Sequence, residues 1–215
     1  MNHLVRRSAA VRRSAACLLA SSLFASIACA EQRLPTIPPA QYTPDQKKAA
    51  DDFEVARKAP VFGPFEPLMH SPEVMSLARS MGDYLRYKSS IGNTLSELVI
   101  LVTAREWTQD FEFTFHLPIA LKAGIRKEMT DAIADGRRPT GMNADEEMIY
   151  DFATELMHNK RVSDTTFEKV KGRFGTKGVV DTTGIVGYYT FLAMQLNVAQ
   201  YKNPNDASRL PRLPK

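Results

Sequence analysis

Cysteine is almost absent from this chain. Its 215 residues include two cysteines, Cys17 and Cys29, and both lie within residues 1–30. A domain formed by the rest of the chain therefore has no disulfide framework and no thiol of its own for redox chemistry. The sequence also lacks strand-length alternation of apolar and polar residues, and it lacks internal repeats on the order of 20–50 residues. These absences exclude β-rich and solenoid folds.

A basic surface is lacking as well. The net charge of +4 equals the contribution of four arginines near the amino terminus, because the other 24 of the 28 basic residues balance the 24 acidic ones. Nucleic-acid binding requires a basic patch or stripe. We therefore expect no nucleic-acid partner.

Residues 1–30 have the composition of a secretory signal peptide. The four arginines (Arg6, Arg7, Arg12 and Arg13) precede an apolar run from Ala15 to Ile27, and the segment closes on Ala28-Cys29-Ala30. Such a segment is removed before Glu31, and its apolar run is too short to span a bilayer. We expect a periplasmic or secreted protein without membrane contact after cleavage. Export by the twin-arginine route, at Arg12-Arg13, is an alternative to the general route.

The rest of the chain has the periodicity and the capping residues of helices. Helices are predicted from Thr43 to about Lys58, from Ser71 through Val74, Leu77, Ala78, Met81 and Leu85, from Arg126 to Ala134, from Asn143 to Met157, from Ser163 to Gly175 and over Val179–Gln200. The stretch from Thr94 to Ala123 is predicted to be helical as well, in more than one helix. The last helix is apolar, but Asp181 and other polar residues would be costly in lipid. It is predicted to be buried or to lie at a subunit interface, with Gly184 and Gly187 allowing close approach.

These elements predict an all-α fold in a single domain. The expected organisation is a signal peptide (1–30), an amino-terminal arm with the first helix (31–62), a helical domain (63–203) and a tail (204–215) that does not pack on its own. The length that remains after residue 30 suffices for one full hydrophobic core.

Three proton-transfer side chains lie in the apolar stretch from Glu97 to His116. Glu112 and His116 are four residues apart and share a helix face, with Glu97 about four turns upstream. A carboxylate and an imidazole on one face can divide acid and base roles. Two structural interpretations compete with this one. Glu112 and His116 can form an ordinary pair on a solvated helix, and Glu97 can complete a capping box with Thr94.

Aromatic residues surround these three side chains in the sequence. Trp107, Phe111 and Phe115 are candidate pocket walls, although such residues more often belong to a core. Pro118 cannot donate a backbone hydrogen bond and predicts a helix bend beside His116. Two carboxylates with one histidine make a weak metal site, so we expect no metal and no other cofactor.

The span from Pro64 to Asn203 resembles the carboxymuconolactone decarboxylase family, which includes the AhpD-like alkylhydroperoxidases. The peroxidase branch carries a glutamate, a Cys-x-x-Cys with a histidine between the cysteines, and a second histidine four residues later. Glu97 and His116 match the first and last of these positions, Gln109 and Glu112 stand at the cysteine positions, and Phe111 stands at the intervening histidine. Trp107, Glu112, His116, Pro118 and Leu121-Lys122-Ala123-Gly124 resemble a cysteine-free subgroup.

This resemblance implies an AhpD-like multi-helix bundle that forms a homotrimer or hexamer. It implies proton transfer and decarboxylation of a small-molecule substrate, a carboxylated lactone or related acid. His116 would be the general acid, Glu112 would tune or relay its proton, and Glu97 would orient the pair. Two alternatives remain: a non-catalytic exported binding or assembly module on the same scaffold, and a hydroperoxide reductase, which the missing Cys-x-x-Cys disfavours.

Overall fold

The computed structural model describes residues 32–203 and 210–212, and every regular element in these ranges is helical. A 3₁₀ turn at Pro39–Gln41 precedes eight helices: α1 (Pro44–Arg57), α2 (Phe65–Leu68), α3 (Pro72–Tyr87), α4 (Asn93–Glu106), α5 (Asp110–Lys122), α6 (Lys127–Ala134), α7 (Ala144–Asn159) and α8 (Asp164–Ala199). The all-α prediction is confirmed for this part of the chain. The predicted signal peptide lies outside the described residues.

Two helix starts use the capping boxes that the sequence predicts. At α1, the Gln46 amide donates to Thr43 Oγ1 over 3.3 Å, and the Thr43 amide donates to Gln46 Oε1 over 2.9 Å. Asn143 and Glu146 make the same reciprocal pair at α7, over 2.9 and 2.8 Å. Each box satisfies two backbone amides that have no partner inside the helix, and so it determines where the helix begins.

Helix α4 lies at the centre of the fold. All of its residues from Leu95 to Arg105 are buried, and it packs against α3, α5, α6, α7 and α8. A helix that is buried on every side is surrounded by other helices. Glu97 belongs to this buried stretch and is therefore held inside the bundle.

The chain reverses between α4 and α5. Thr108 has a φ of +46°, and the Gln109 side chain caps α5 by accepting from the Phe111 amide over 2.8 Å. The expectation that Glu97 lies on one continuous helical run with Glu112 and His116 is therefore wrong. On one straight helix, Glu97 and His116 would lie about 28 Å apart, whereas the reversal lays α5 against α4. Helix α5 continues through Pro118 to Lys122, and the bend expected there stays a prediction.

The two helices predicted over 163–200 form one element, α8. This element consists of two helical segments that meet at a kink at Gly175 (φ 72°), so the predicted end near Gly175 is right. A Cβ atom at Gly184 would lie 3.1 Å from Leu85 Cδ2, which confirms close approach there. Gly187 has no such neighbour within 4 Å in the chain itself, so a close approach there across a subunit interface stays a prediction. Among the described helices, none has the length and apolar character needed to cross a bilayer.

Helix α3 buries a different face from the predicted one. Ala78 and Leu85 are buried as expected, but Val74, Leu77 and Met81 are exposed. The exposed fraction of Leu77 is 73%. The buried face consists of Met75, Ala78, Gly82 and Leu85. The sequence of α3 carries two apolar stripes, and only this one meets the neighbouring helices.

Part of the carboxyl-terminal segment packs on the reversal between α4 and α5. Leu210 is buried, and its amide donates to Asp110 Oδ1 over 2.8 Å. Arg105 donates to the Pro211 carbonyl over 2.8 Å, and Arg212 pairs with Asp110 over 2.6 Å. The prediction of a tail that does not pack is wrong for residues 210–212. Arg105 at the end of α4 and Asp110 at the start of α5 bind the backbone of this segment.

Gly82 should tolerate no larger side chain. A Cβ atom at this position would overlap the phenol oxygen of buried Tyr188 on α8. We expect Gly82→Ala to lower the free energy of unfolding by about 1–3 kcal/mol through overpacking. The matched control is Gly187→Ala, where the added methyl group meets nothing and the helix gains about 0.5–1 kcal/mol. Urea denaturation of both variants measures the difference, and equal stabilities would contradict the close contact.

Candidate active site

The structure brings together the three proton-transfer residues that the sequence singled out. Helix α4 supplies Glu97, and α5 supplies Glu112 and His116. Their exposed fractions are 1%, 2% and 2%, so a solvated helix face is the wrong interpretation. His116 Nδ1 lies 2.7 Å from Glu97 Oε2, and His116 Nε2 lies 3.7 Å from Glu112 Oε2. The imidazole thus stands between two carboxyl groups.

Glu97 does not complete a capping box. Helix α4 begins at Asn93 after Gly92, and no side chain caps this end. Thr94 Oγ1 donates instead to the Ala123 carbonyl at the end of α5, over 2.7 Å. The Glu97 carboxylate is consequently directed to His116 rather than to its own backbone.

The hydrogen bond to Glu97 determines the tautomer of His116. A carboxylate oxygen at 2.7 Å accepts a proton from Nδ1, so we assign the imidazole proton to Nδ1. Burial lowers the pKa of His116, although the bond to Glu97 opposes this effect. The imidazole is therefore neutral at neutral pH, and the lone pair of Nε2 faces Glu112.

Glu112 is a carboxylic acid at neutral pH. Its pKa is raised to about 8, chiefly by burial and to a lesser degree by the nearby Glu97 carboxylate, and Arg86 partly opposes both effects. Its Oε1 atom is buried and has no hydrogen-bond partner among the described residues. An unpartnered buried oxygen costs about 1–3 kcal/mol, so it marks a position where a ligand or a water molecule is expected.

Glu112 also lines a small cavity. Its volume is about 20 Å³, close to what one water molecule needs. Four polar side chains line it: Arg57, Arg86, Glu112 and His116. Most of the remaining lining is aromatic and consists of Phe62, Phe65, Phe111, Phe115, Tyr188 and Tyr189. The cavity therefore combines acid and base groups with a largely water-excluding wall.

The aromatic rings contact one another and the imidazole. Phe111 stacks on Phe115 with centroids 5.8 Å apart, and Phe62 lies 5.4 Å from Phe115. His116 lies between Phe115 and Tyr189, whose ring centroids are 5.3 and 5.2 Å away. Two predicted wall residues, Phe111 and Phe115, thus line the cavity beside His116.

Trp107 is not part of this wall. It ends α4, and its Nε1 donates to Thr190 Oγ1 on α8 over 3.1 Å. The chain reverses at the next residue, Thr108, so Trp107 lies at the end of the helix pair rather than beside His116. Its expected place in the pocket wall is wrong for this reason.

The sequence analysis missed the two arginines of the site. Arg86 Nη2 lies 3.9 Å from Glu97 Oε1, and Arg57 Nε lies 2.7 Å from Asp83 Oδ1. Arg86 stands four residues after Gly82 and next to Leu85, so it adjoins the buried face of α3. This position beside the buried face is the one feature of the sequence that could have indicated a buried role for Arg86. No local pattern connects Arg57 on α1 with the motif.

The arrangement suits proton transfer. Glu97 orients the imidazole, the imidazole presents a lone pair, and Glu112 holds a proton beside the cavity. Within the described ranges, no set of three histidine, cysteine or acidic side chains is arranged to hold a metal ion. No family model matches the chain, and no curated protein is significantly similar to it. The geometry is therefore the basis for a functional proposal.

Glu112→Gln should remove a pH dependence of stability. The folded pKa of about 8 exceeds the ordinary 4.5, so the folded state holds a proton that the unfolded state releases. The free energy of unfolding therefore falls as pH rises through this window. His116 has a lowered folded pKa and acts in the opposite sense below its ordinary 6.5. Between pH 6.5 and about 8, Glu112 contributes a slope of up to about 1.4 kcal/mol per pH unit.

Urea denaturation across this window measures the slope. The wild type should lose stability relative to Glu112→Gln up to about pH 8, and the two curves should run parallel above it. Glu106→Gln is the control, because Glu106 is exposed on the surface. If wild type and Glu112→Gln keep a constant difference throughout the window, Glu112 is ionised in the folded protein.

Proposed function

We propose that this protein is an acid–base enzyme that decarboxylates a small carboxylated lactone or a related acid. One observation carries the proposal: Glu97, Glu112 and His116 are buried side by side, Glu112 and His116 line a cavity, and Glu112 Oε1 has no hydrogen-bond partner among the described residues. Burying such groups costs stability, and perturbed titratable groups beside a cavity are typical of catalytic sites.

Each residue has a role in the proposed reaction. The bond between the substrate carbon and its carboxylate breaks, carbon dioxide leaves, and the electron pair stays on the carbon. Glu112 first gives its proton to Nε2 of His116, which lies 3.7 Å away. The imidazolium formed in this way then gives the Nε2 proton to that carbon. Glu97 stabilises the imidazolium that forms in between, through its 2.7 Å bond to Nδ1. Solvent then reprotonates Glu112.

The proposal includes an AhpD-like helical bundle of the carboxymuconolactone decarboxylase kind. The pairing of Glu97 with His116 supports it, because these positions match the first and last residues of the family motif. We also propose a homotrimer or hexamer, exported to the periplasm or beyond. The exposed apolar side chains of α3, Val74, Leu77 and Met81, favour self-association.

A non-catalytic binding module is the second candidate. The small cavity favours it, because about 20 Å³ accommodates no lactone unless the aromatic wall moves. Hydroperoxide reduction has no comparable support. Gln109, which stands at a cysteine position of the peroxidase motif, caps α5 and donates to Asn197 over 2.8 Å.

The chemistry can be tested by measuring carbon dioxide release from a panel of small carboxylated lactones. We expect Glu112→Gln and His116→Ala to lower the rate by about 10²–10⁴-fold, the usual contribution of a positioned acid or base. The matched control is His158→Ala. His158 also pairs with a glutamate, Glu106, over 2.8 Å, but this pair is exposed and does not line the cavity.

Melting curves of each variant separate lost chemistry from lost folding. A panel that releases carbon dioxide no faster than buffer would favour the binding module. Turnover that survives both substitutions in folded protein would place the chemistry elsewhere.

A further inference from the structure

Two buried arginines face the cavity from helices that lie outside the sequence motif. Arg57 is the last residue of α1, and Arg86 lies in the last turn of α3. Their side chains are 7% and 11% exposed. Both line the cavity together with Glu112 and His116. Guanidinium groups are rarely buried without a partner, so their hydrogen bonds need an account.

The hydrogen bonding of both arginines is incomplete. Arg86 approaches Glu97 Oε1 only to 3.9 Å, beyond hydrogen-bond distance, and its buried Nε has no partner among the described residues. Arg57 Nε lies 2.7 Å from Asp83 Oδ1, but its buried N–H makes no hydrogen bond there. Asp83 also receives a hydrogen bond from Arg79 over 2.8 Å. Donors of both guanidinium groups therefore remain available to a ligand.

The charge of the lining points in the same direction. Glu112 and His116 are both uncharged at neutral pH, because burial raises the pKa of the first and lowers the pKa of the second. Glu97 and Asp83 do not line the cavity. Two guanidinium groups are thus the charges that face it. A partly enclosed site of one sign attracts the opposite charge.

We propose that Arg57 and Arg86 hold the carboxylate of the ligand, and that the ligand is a small acid with a flat, unsaturated body. A guanidinium fork matches a carboxylate in geometry and in charge. The flat body would lie among the rings of Phe111, Phe115 and Tyr189, which line the same cavity. The inference rests on the proposed function for the location of the substrate, but it concerns binding and not chemistry.

The available volume determines the choice of probes. Formate carries the carboxylate with no attached group, so it tests the arginines with the least demand on a cavity of about 20 Å³. Larger acids require the partly exposed rings of Phe62, Phe111 and Phe115 to shift. 2-Furoate is a suitable larger probe, and 2-furamide is its uncharged counterpart of nearly the same shape.

Calorimetric titration of the full chain with these probes, at constant ionic strength, tests the proposal. We expect formate and 2-furoate to bind, and 2-furamide to bind about 10- to 100-fold more weakly, because it loses charge-assisted hydrogen bonds. Arg86→Met, which keeps an apolar stem, should weaken 2-furoate by a similar factor, and Arg86→Lys should weaken it less. Arg105→Met is the control, since Arg105 is also buried but lies outside the cavity.

Several results would overturn the assignment. These are equal affinity for 2-furoate and 2-furamide, unchanged affinity in folded Arg86→Met, and no binding of either carboxylate. The comparison of the two furan probes uses the wild type alone, so it stands even if an arginine variant fails to fold. The wild type separates this inference from the proposed chemistry. Binding of 2-furoate in preference to 2-furamide, without carbon dioxide release from the panel of lactones, would overturn the decarboxylase proposal and leave the anion site standing.

Discussion

The hydrogen bond between His116 Nδ1 and Glu97 Oε2 is the interaction on which the site depends. It joins α5 to the central helix over 2.7 Å, and it exists because the chain reverses at Thr108. The bond orients the imidazole and directs Nε2 to Glu112. Without that reversal, Glu97 would lie about 28 Å from His116 along one helix and could not orient its imidazole.

The polar cluster is costly in a core that is otherwise apolar and aromatic. Replacing buried ionic groups by apolar side chains of similar volume is often neutral or stabilising. Here two carboxyl groups, an imidazole and two guanidinium groups lie together, and three of their atoms have no hydrogen-bond partner in the described part of the chain. Stability arising elsewhere, in the capped helices and the fully packed α4, offsets this cost. Such a balance is expected where groups are kept for a ligand.

Local signals in the sequence predicted local structure well. The capping boxes at Thr43 and Asn143 are sequence patterns that span four residues, and both form. The shared face of Glu112 and His116 is likewise a property of one helix. The reversal at Thr108 could not be foreseen, since a threonine with positive φ has no distinctive signature.

The rest of the site depends on contacts between distant parts of the chain. Arg57, Arg86 and Tyr189 come from α1, α3 and α8, and no spacing within the motif indicates them. Contacts between distant parts of the chain also determine which of the two apolar stripes on α3 is buried. Both stripes have helical periodicity, and only the packing of the neighbouring helices decides which one is buried. Trp107 was misplaced because its surroundings depend on α8.

The complete burial of α4 has a consequence for motion. Every residue from Leu95 to Arg105 is covered by other helices, so these amides can exchange with solvent only when the whole domain opens. The rings of Phe62, Phe111 and Phe115 are only partly covered and can move without such opening. In the site, Glu97 therefore orients His116 from α4, the helix whose amides should exchange most slowly. The aromatic wall beside them can fluctuate on a much shorter timescale.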